Sequence, residues 1–289
     1  MSAVRPFEGV QRPLGETGRS AKGARHPTLV FSHANSFPAG CYRVLFERWR
    51  AAGWRVQALD RFGHDPRFPV TGDWRRLRDQ LLHFIEHDVK PEGPVALVGH
   101  SLGGMLSLMA ACRRPDLVSG LVMLDSPVIA GIRAAGIAVA KGSGLMNRYG
   151  PSRIARERRH SWPNRAAVHQ HFAAKKLFAR WDPRVLSDYI AAGFEEAEGQ
   201  VRLRFAREVE AHIYRTLPHH LPLLLRLRPP QCPVAFVGGT QSAELRQAGA
   251  AASMKLAGER WRWMEGSHLY PFEKPEETAD LVLELLKAR

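Results

Sequence analysis

Residues 95–112 read VALVGHSLGGMLSLMAAC, and this stretch decides the fold. The apolar run at 95–98 predicts a buried strand, and the apolar stretch at 102–112 predicts the helix that follows it. Between them lies the pattern G-x-S-x-G, with Ser101 at its centre. Its glycines permit a sharp turn without Cβ clashes and leave the serine hydroxyl at the apex. The stretch therefore predicts a nucleophilic serine on a turn between a strand and a helix.

Short apolar runs and longer stretches of helical spacing alternate on both sides of this turn. The predicted strands are residues 28–31, 55–59, 95–98, 121–124, 234–237 and 260–264. The predicted helices of the same region are residues 41–52, 73–88, 102–112, 243–252 and 275–286. Such an alternation is typical of the α/β class, in which crossover helices flank a mostly parallel central sheet.

The alternation stops in the middle of the chain, where helical patterns replace the strand signals. We therefore divide the chain into a first core segment (1–130), a helical cap (131–228) and a second core segment (229–289). A cap inserted at this point is expected to lie over the carboxyl ends of the strands. Open α/β sheets bind their ligands at that edge.

A second reactive residue follows the last predicted strand. Gly266-Ser267-His268 lies in the loop between that strand and the final helix. A serine hydroxyl is a weak nucleophile until a base takes its proton, and an imidazole that titrates near neutrality can do so. We predict that His268 is the general base for Ser101.

These motifs resemble those of the α/β-hydrolase superfamily, and the resemblance covers nearly the whole chain. It implies the α/β-hydrolase fold with an inserted helical cap. Residues 31–35 (FSHAN) are similar to the family's H-G-x oxyanion loop, with Ala34 where glycine is usual. The resemblance implies two backbone N–H donors for an oxyanion, one from Leu102 and one from Ala34 or Asn35. Both alternatives for the second donor stay open.

The acidic partner of His268 is less clear from the sequence. The resemblance places the acid after the predicted strand 234–237, but the expected position holds Ser242. A variant of the family carries the acid one strand earlier, which here is Asp125. Glu244, two residues beyond the usual site, is the rival, and an arrangement with no acid or with a bridging water is the third alternative. We expect Asp125 to orient His268 and to stabilise the imidazolium.

The chain is strongly basic, with 42 Lys and Arg against 28 Asp and Glu and a net charge of +14 at pH 7. The basic residues are scattered among acidic ones and form no tract interleaved with aromatic residues, so we expect no nucleic-acid partner. Since no apolar run approaches the roughly 18 residues that span a bilayer, we expect no stable membrane insertion.

The three cysteines, Cys41, Cys112 and Cys232, are too few and odd in number for a disulfide framework. Residues 1–23 lack the apolar stretch of a secretory leader. We therefore expect a cytoplasmic protein that needs no cofactor and no metal. Its expected partner is a small-molecule acyl substrate, and a homodimer is compatible with the sequence.

The predicted activity is hydrolysis of a carboxylic ester through a Ser-His-acid triad and an acyl-enzyme. A C–C hydrolase, a thioesterase and a lactonase would use the same residues. An alternative from another class is a non-hydrolytic member of the fold, either a ligand-binding protein or a cofactor-free oxygenase-type protein. The absence of an acid at the usual position favours that alternative, whereas the complete serine turn and the His268 loop favour a hydrolase.

Overall fold

The structure is a computed structural model that describes residues 26–148 and 150–287. Within these residues the strands are β1 (Thr28–Ser32), β2 (Arg55–Ala58), β3 (Val95–His100), β4 (Val118–Leu124), β5 (Ser161–Trp162), β6 (Phe194–Ala197), β7 (Gln200–Leu203), β8 (Val234–Gly239) and β9 (Trp261–Met264). The α-helices are α1 (Arg43–Ala51), α2 (Arg75–His83), α3 (Leu102–Arg113), α4 (Gly131–Gly142), α5 (Leu145–Arg148), α6 (Pro151–Glu157), α7 (Arg165–Ala173), α8 (Pro183–Gly193), α9 (Arg207–Arg215), α10 (Leu221–Leu227), α11 (Ala243–Ala248), α12 (Ala251–Ala257), α13 (Tyr270–Glu273) and α14 (Pro275–Lys287).

Six strands form the central sheet in the order β2-β1-β3-β4-β8-β9, and each neighbouring pair is parallel. The middle strand β3 is buried along its whole length, as expected for a strand whose two faces are both covered. Successive side chains of β1 enter different apolar clusters, because side chains alternate between the faces of a strand. Leu29 and Phe31 belong to the cluster that includes α1 and α14, whereas Val30 belongs to the cluster that includes α2 and α3.

The parallel arrangement brings several loops to one edge of the sheet. The carboxyl ends of β1, β3, β4 and β9 are followed in turn by Ala34, Ser101, Asp125 and His268. These residues are far apart along the chain, and only the strand order places them together.

The α/β fold predicted from the sequence is confirmed, with a strand at each predicted position. Two predicted helices differ in detail. Helix 243–252 is interrupted at Gly249, where φ is 81°, and forms α11 and α12. Helix 73–88 continues after α2 as a π-helix over Phe84–Val89.

The segment between β4 and β8, which we call the insertion, contains α4 to α10 and a small antiparallel sheet in the order β5-β7-β6. This sheet was not predicted. Strand β6 reads FEEA, and β5 has two residues, so neither carries a strong strand pattern. A two-residue turn joins β6 to β7, with φ of 52° at Glu198 and 72° at Gly199. Positive φ at both positions is typical of hairpin turns that match the strand twist.

The insertion packs directly on the core. Phe37 of the core contacts the rings of Trp181 and Tyr189 in the insertion at centroid distances of 5.8 and 5.7 Å. Arg204 of the insertion donates a hydrogen bond of 2.8 Å to the Asp60 carboxylate, which follows β2. Apolar and polar contacts therefore both hold the insertion in place.

Some expectations fall outside this description. Those for residues 1–25, including the lack of a leader, concern residues that the structure does not describe. The boundaries of the three predicted segments stay predictions. Across residues 26–148 and 150–287, no helix has the length and apolar character needed to cross a membrane.

Candidate active site

Ser101 lies on the tight turn between β3 and α3. Its backbone has a φ of 53° and a ψ of −115°, and its N–H donates a hydrogen bond of 2.9 Å to the Leu124 carbonyl on the neighbouring strand. Non-glycine residues rarely adopt positive φ, and such strain is common at functional sites. The turn requires glycine nearby, because a Cβ at Gly103 would lie 2.0 Å from the Ser32 carbonyl oxygen. The serine is thus held at the apex of a turn that larger residues would disrupt.

His268 lies in the loop after β9, with its ring beside the serine. Its Nε2 atom is 2.9 Å from Ser101 Oγ, and its Nδ1 atom is 2.5 Å from Asp125 Oδ2. A carboxylate can only accept, so Nδ1 carries the proton and Nε2 of the neutral ring is free to accept from the serine hydroxyl. The structure therefore places the three side chains in a continuous hydrogen-bonded chain.

Asp125 follows β4 and is completely buried. Besides His268, two groups bind its carboxylate: the N–H of Gly239 donates to Oδ1 at 2.7 Å, and the Ser242 hydroxyl donates to Oδ2 at 2.5 Å. Ser242 occupies the position where the family resemblance predicts the acid. It acts here as a hydrogen-bond donor to the carboxylate that comes from the neighbouring strand.

Glu244, the rival acid, lies in the first turn of α11 and is exposed. It lines the same cavity as Ser101 and His268, but the Nδ1 atom of His268 bonds to Asp125 instead. The structure thus brings Asp125 into the hydrogen-bonded chain and leaves Glu244 at the cavity wall.

The protonation of His268 reflects opposing effects. Burial lowers the pKa of its imidazole, whereas the hydrogen bond and negative charge of Asp125, and the more distant charge of Glu244, raise it. The attraction outweighs the burial, so the pKa lies above the usual value for histidine. This ring is therefore a stronger base than an ordinary histidine.

The two candidates for the second oxyanion donor differ in their hydrogen bonding. The N–H of Ala34 donates a bond of 3.1 Å to Tyr42 Oη and is therefore already engaged. Leu102 is the first residue of α3, so its N–H has no acceptor within the helix. Asn35 lines the cavity with Ser101. The bond to Tyr42 favours Asn35 over Ala34 as the partner of Leu102.

Tyr42 and His100 connect the oxyanion loop to the histidine loop. Nε2 of His100 is 2.9 Å from the carbonyl oxygen of His268, and a carbonyl accepts, so this nitrogen carries a proton. Burial lowers the pKa of His100 well below its usual value and keeps the ring neutral. Its Nδ1 atom therefore accepts from Tyr42 Oη, which lies 2.8 Å away. The sequence reasoning missed both residues, although His100 lies inside the G-x-S-x-G pattern.

A cavity of about 370 Å³ opens beside the serine. Its wall combines apolar and polar side chains from the core and from the insertion: Ala34, Asn35, Phe37, Ser101, Leu177, Tyr214, Gln241, Ala243, Glu244, Ser267, His268 and Leu269. In the part of the chain that the structure describes, no group of three or more His, Cys, Asp and Glu side chains is arranged to hold a metal ion. The arrangement can deprotonate a serine next to a cavity of small-molecule size.

Curated relatives match parts of the chain. A monoglyceride lipase of Rattus norvegicus is 32% identical over 126 residues, which cover 41% of this chain and 41% of the lipase. The lipase LipV of Mycobacterium tuberculosis is 49% identical over 73 residues, or 25% of this chain and 28% of that protein. The aligned regions thus span less than half of these relatives.

Solved structures match at the level of the fold. The crystal structure of E-2-(acetamidomethylene)succinate hydrolase has a TM-score of 0.71 at 22% identity and covers 91% of this chain and 92% of its own. A thioesterase domain from the curacin biosynthetic pathway has a TM-score of 0.67 at 20% identity, and the match covers 89% of this chain and 91% of that domain. A family match to residues 29–281 spans most of the sequence and agrees with the sheet order, so the chain belongs to the alpha/beta hydrolase family.

Proposed function

We propose that this protein is a serine hydrolase that cleaves carboxylic esters of small to medium size. The observation that supports it most is the chain of hydrogen bonds from Ser101 Oγ through the His268 ring to Asp125 Oδ2, at 2.9 and 2.5 Å. A nucleophile, a base and a group that orients the base form the minimal set for nucleophilic catalysis. The names of the two lipases reported above support an ester as the substrate.

In the proposed mechanism, Nε2 of His268 takes the hydroxyl proton as Ser101 attacks the ester carbonyl carbon. The negative charge that develops on the carbonyl oxygen is stabilised by the N–H groups of Leu102 and Asn35. Collapse of this intermediate releases the alcohol, which receives its proton from the imidazolium. Water, deprotonated by His268, then attacks the acyl-enzyme and releases the acid.

Asp125 has a supporting role in this mechanism. Its bond to Nδ1 holds the ring in the tautomer that presents a free Nε2, and its charge stabilises the imidazolium. The donors from Gly239 and Ser242 satisfy the buried carboxylate and fix its direction. The acid after β4 can therefore replace the one that the family usually carries after the strand equivalent to β8.

The insertion forms the second wall of the proposed substrate site. Leu177 and Tyr214 line the cavity from the insertion, whereas Phe37 and Leu269 line it from the core. We propose that residues 131–228 act as a cap and that these largely apolar walls bind an acyl chain. The described cysteines are free, which fits the proposed cytoplasmic location. The homodimer stays a prediction.

Hydrolysis of p-nitrophenyl butyrate by three variants tests the proposal. We expect Ser101→Ala to abolish turnover and Asp125→Asn to lower kcat by about 10⁴-fold, because the imidazole would adopt the wrong tautomer. Glu244→Gln is expected to lose far less activity. Circular dichroism of each variant controls for folding. A large loss in Glu244→Gln with little loss in Asp125→Asn would transfer the role of the acid to Glu244, and full activity of Ser101→Ala would contradict the proposal.

A further inference from the structure

The cavity beside Ser101 has a charge opposite to that of the whole protein. The chain has a net charge of +14, yet the cavity wall includes no Lys or Arg among the described residues. Apart from the titratable His268, its one charged side chain within that part of the chain is Glu244. A substrate that enters the cavity therefore meets a carboxylate, although the protein as a whole is basic.

Other acidic groups in this region are paired with arginines. Glu210 is buried and lies 3.1 Å from Arg158, and Glu273 lies 3.1 Å from Arg180. Over residues 26–148 and 150–287, Glu244 has no ion-pair partner within 4.0 Å. Its charge is consequently the one that an entering substrate encounters without a bound counter-charge.

The charge of Glu244 reaches the reacting groups. It contributes to the raised pKa of His268, after the larger effects of burial and of Asp125. It also contributes to the raised pKa of Tyr214, another residue of the cavity wall, for which burial is the main cause. Electrostatic interactions between groups that line one cavity are weakened less than interactions in bulk water.

Gln241 of the wall is hydrogen-bonded to an arginine whose charge is itself paired. Nη2 of Arg180 donates to Gln241 Oε1 at 2.8 Å and to the Glu273 carboxylate at 3.1 Å, so the charge of this arginine is balanced by Glu273. The carboxylate of Glu244, which has no such counter-charge in the described part of the chain, fits ligands that carry hydrogen-bond donors or positive charge.

We propose that Glu244 makes the cavity select by charge, so that cationic esters bind better than neutral ones and anionic esters bind worst. This inference rests on the proposed function and narrows its substrate class. Glu244 is then a specificity-determining residue, and its place in the first turn of α11 puts it on the wall of the cavity that Ser101 also lines.

Three butyrate esters with different alcohols provide the test: choline butyrate, its neutral isostere 3,3-dimethylbutyl butyrate, and the anionic 3-sulfopropyl butyrate. Each is measured as a competitor of p-nitrophenyl butyrate, so that binding is observed even where turnover is slow. The wild-type protein should bind the cationic ester about three- to tenfold more tightly than the neutral one, with the anionic ester weaker by a similar factor. Glu244→Gln should bring all three inhibition constants close together.

Glu277→Gln is the matched control, because Glu277 is also an exposed glutamate in the first turn of a helix, on α14. It changes the net charge equally and should keep the wild-type order of binding. Equal binding of the three esters by the wild-type protein, or an order that Glu244→Gln leaves unchanged, would overturn the inference alone. A folded wild-type protein that does not hydrolyse p-nitrophenyl butyrate would overturn the proposed function, and the inference with it.

Discussion

At the scale of single residues, the carboxylate of Asp125 is the most strongly constrained group of the site. It is fully buried and accepts hydrogen bonds from Gly239, Ser242 and His268. Since a polar group without partners is costly to bury, these three hydrogen bonds offset the cost of burying the Asp125 side chain. The hydrogen bond and the negative charge of Asp125 raise the pKa of His268, against the lowering effect of burial.

The raised pKa of His268 predicts a pH dependence. The base must be neutral to accept the serine proton, so kcat/KM should fall as the pH drops through a pKa above the usual value for histidine. Glu244 stabilises the imidazolium, so its removal in Glu244→Gln should lower this pKa and move the acid limb to lower pH. A pH profile of kcat/KM measures the shift. An acid limb that stays in place or moves upward would contradict this assignment.

The sequence predicted some of these residues better than others. Ser101 and His268 each lie in a motif with a defined strand before it, which is why both could be named in advance. Asp125 was the expected acid, but Glu244 stayed as its rival, because the two residues follow neighbouring strands of the sheet and the sequence does not show which one points at the imidazole. The contact between Ser242 and Asp125 joins residues 117 positions apart and depends on the packing of β4 beside β8.

At the scale of the elements, the turn between β3 and α3 depends on close contact with the neighbouring strand β1. Helix α3 passes so near β1 that the Ser32 backbone leaves no room for a Cβ at Gly103. This contact brings the oxyanion loop, which begins after β1, next to the helix that carries Leu102. Packing of these two elements thus builds the proposed oxyanion site.

Gly103→Ala should therefore destabilise the protein. The added Cβ would lie 2.0 Å from the Ser32 carbonyl oxygen, so the backbone would have to move, at an expected cost of about 3 kcal/mol in the free energy of unfolding. Urea denaturation measures this change. The control is Gly136→Ala in α4, where an added Cβ meets no atom within 4 Å and should stabilise the helix by about 0.5–1 kcal/mol. Equal stability of the two variants would contradict the packing argument.

The elements of the core were predictable because their signals are local. Strand β3 is a continuous apolar run between turn residues, and its burial follows from that pattern alone. The hairpin of β6 and β7 was missed because its strands are short and half of their side chains are polar. Its main sequence signal is the Glu198-Gly199 pair at the turn, which is weak evidence without the pairing that the fold provides.

At the scale of the whole molecule, the core and the insertion share one apolar cluster. Phe31 of β1 and Trp49 of α1 belong to the same cluster as Trp162, Phe172 and Tyr189 of the insertion. Since burial of apolar surface is the main favourable contribution to folding, each part stabilises the other. The insertion is therefore an integral part of the folded unit.

This continuity predicts a single unfolding transition. A urea titration followed by far-ultraviolet circular dichroism, which reports all helices and strands, should have the same midpoint as the loss of protease resistance in the insertion. Asp60→Asn, which weakens the contact with Arg204, should lower both midpoints together. Cleavage of the insertion at urea concentrations where the circular dichroism is still native would show that the two parts unfold independently.

The central claim is that Ser101 is a nucleophile activated by His268. Covalent labelling with a fluorophosphonate, located by mass spectrometry of the digested protein, tests it most directly. We predict one adduct per chain, on the peptide that contains Ser101, and a large loss of labelling in folded His268→Ala. Labelling at another serine, or none at all in the folded wild-type protein, would contradict the account.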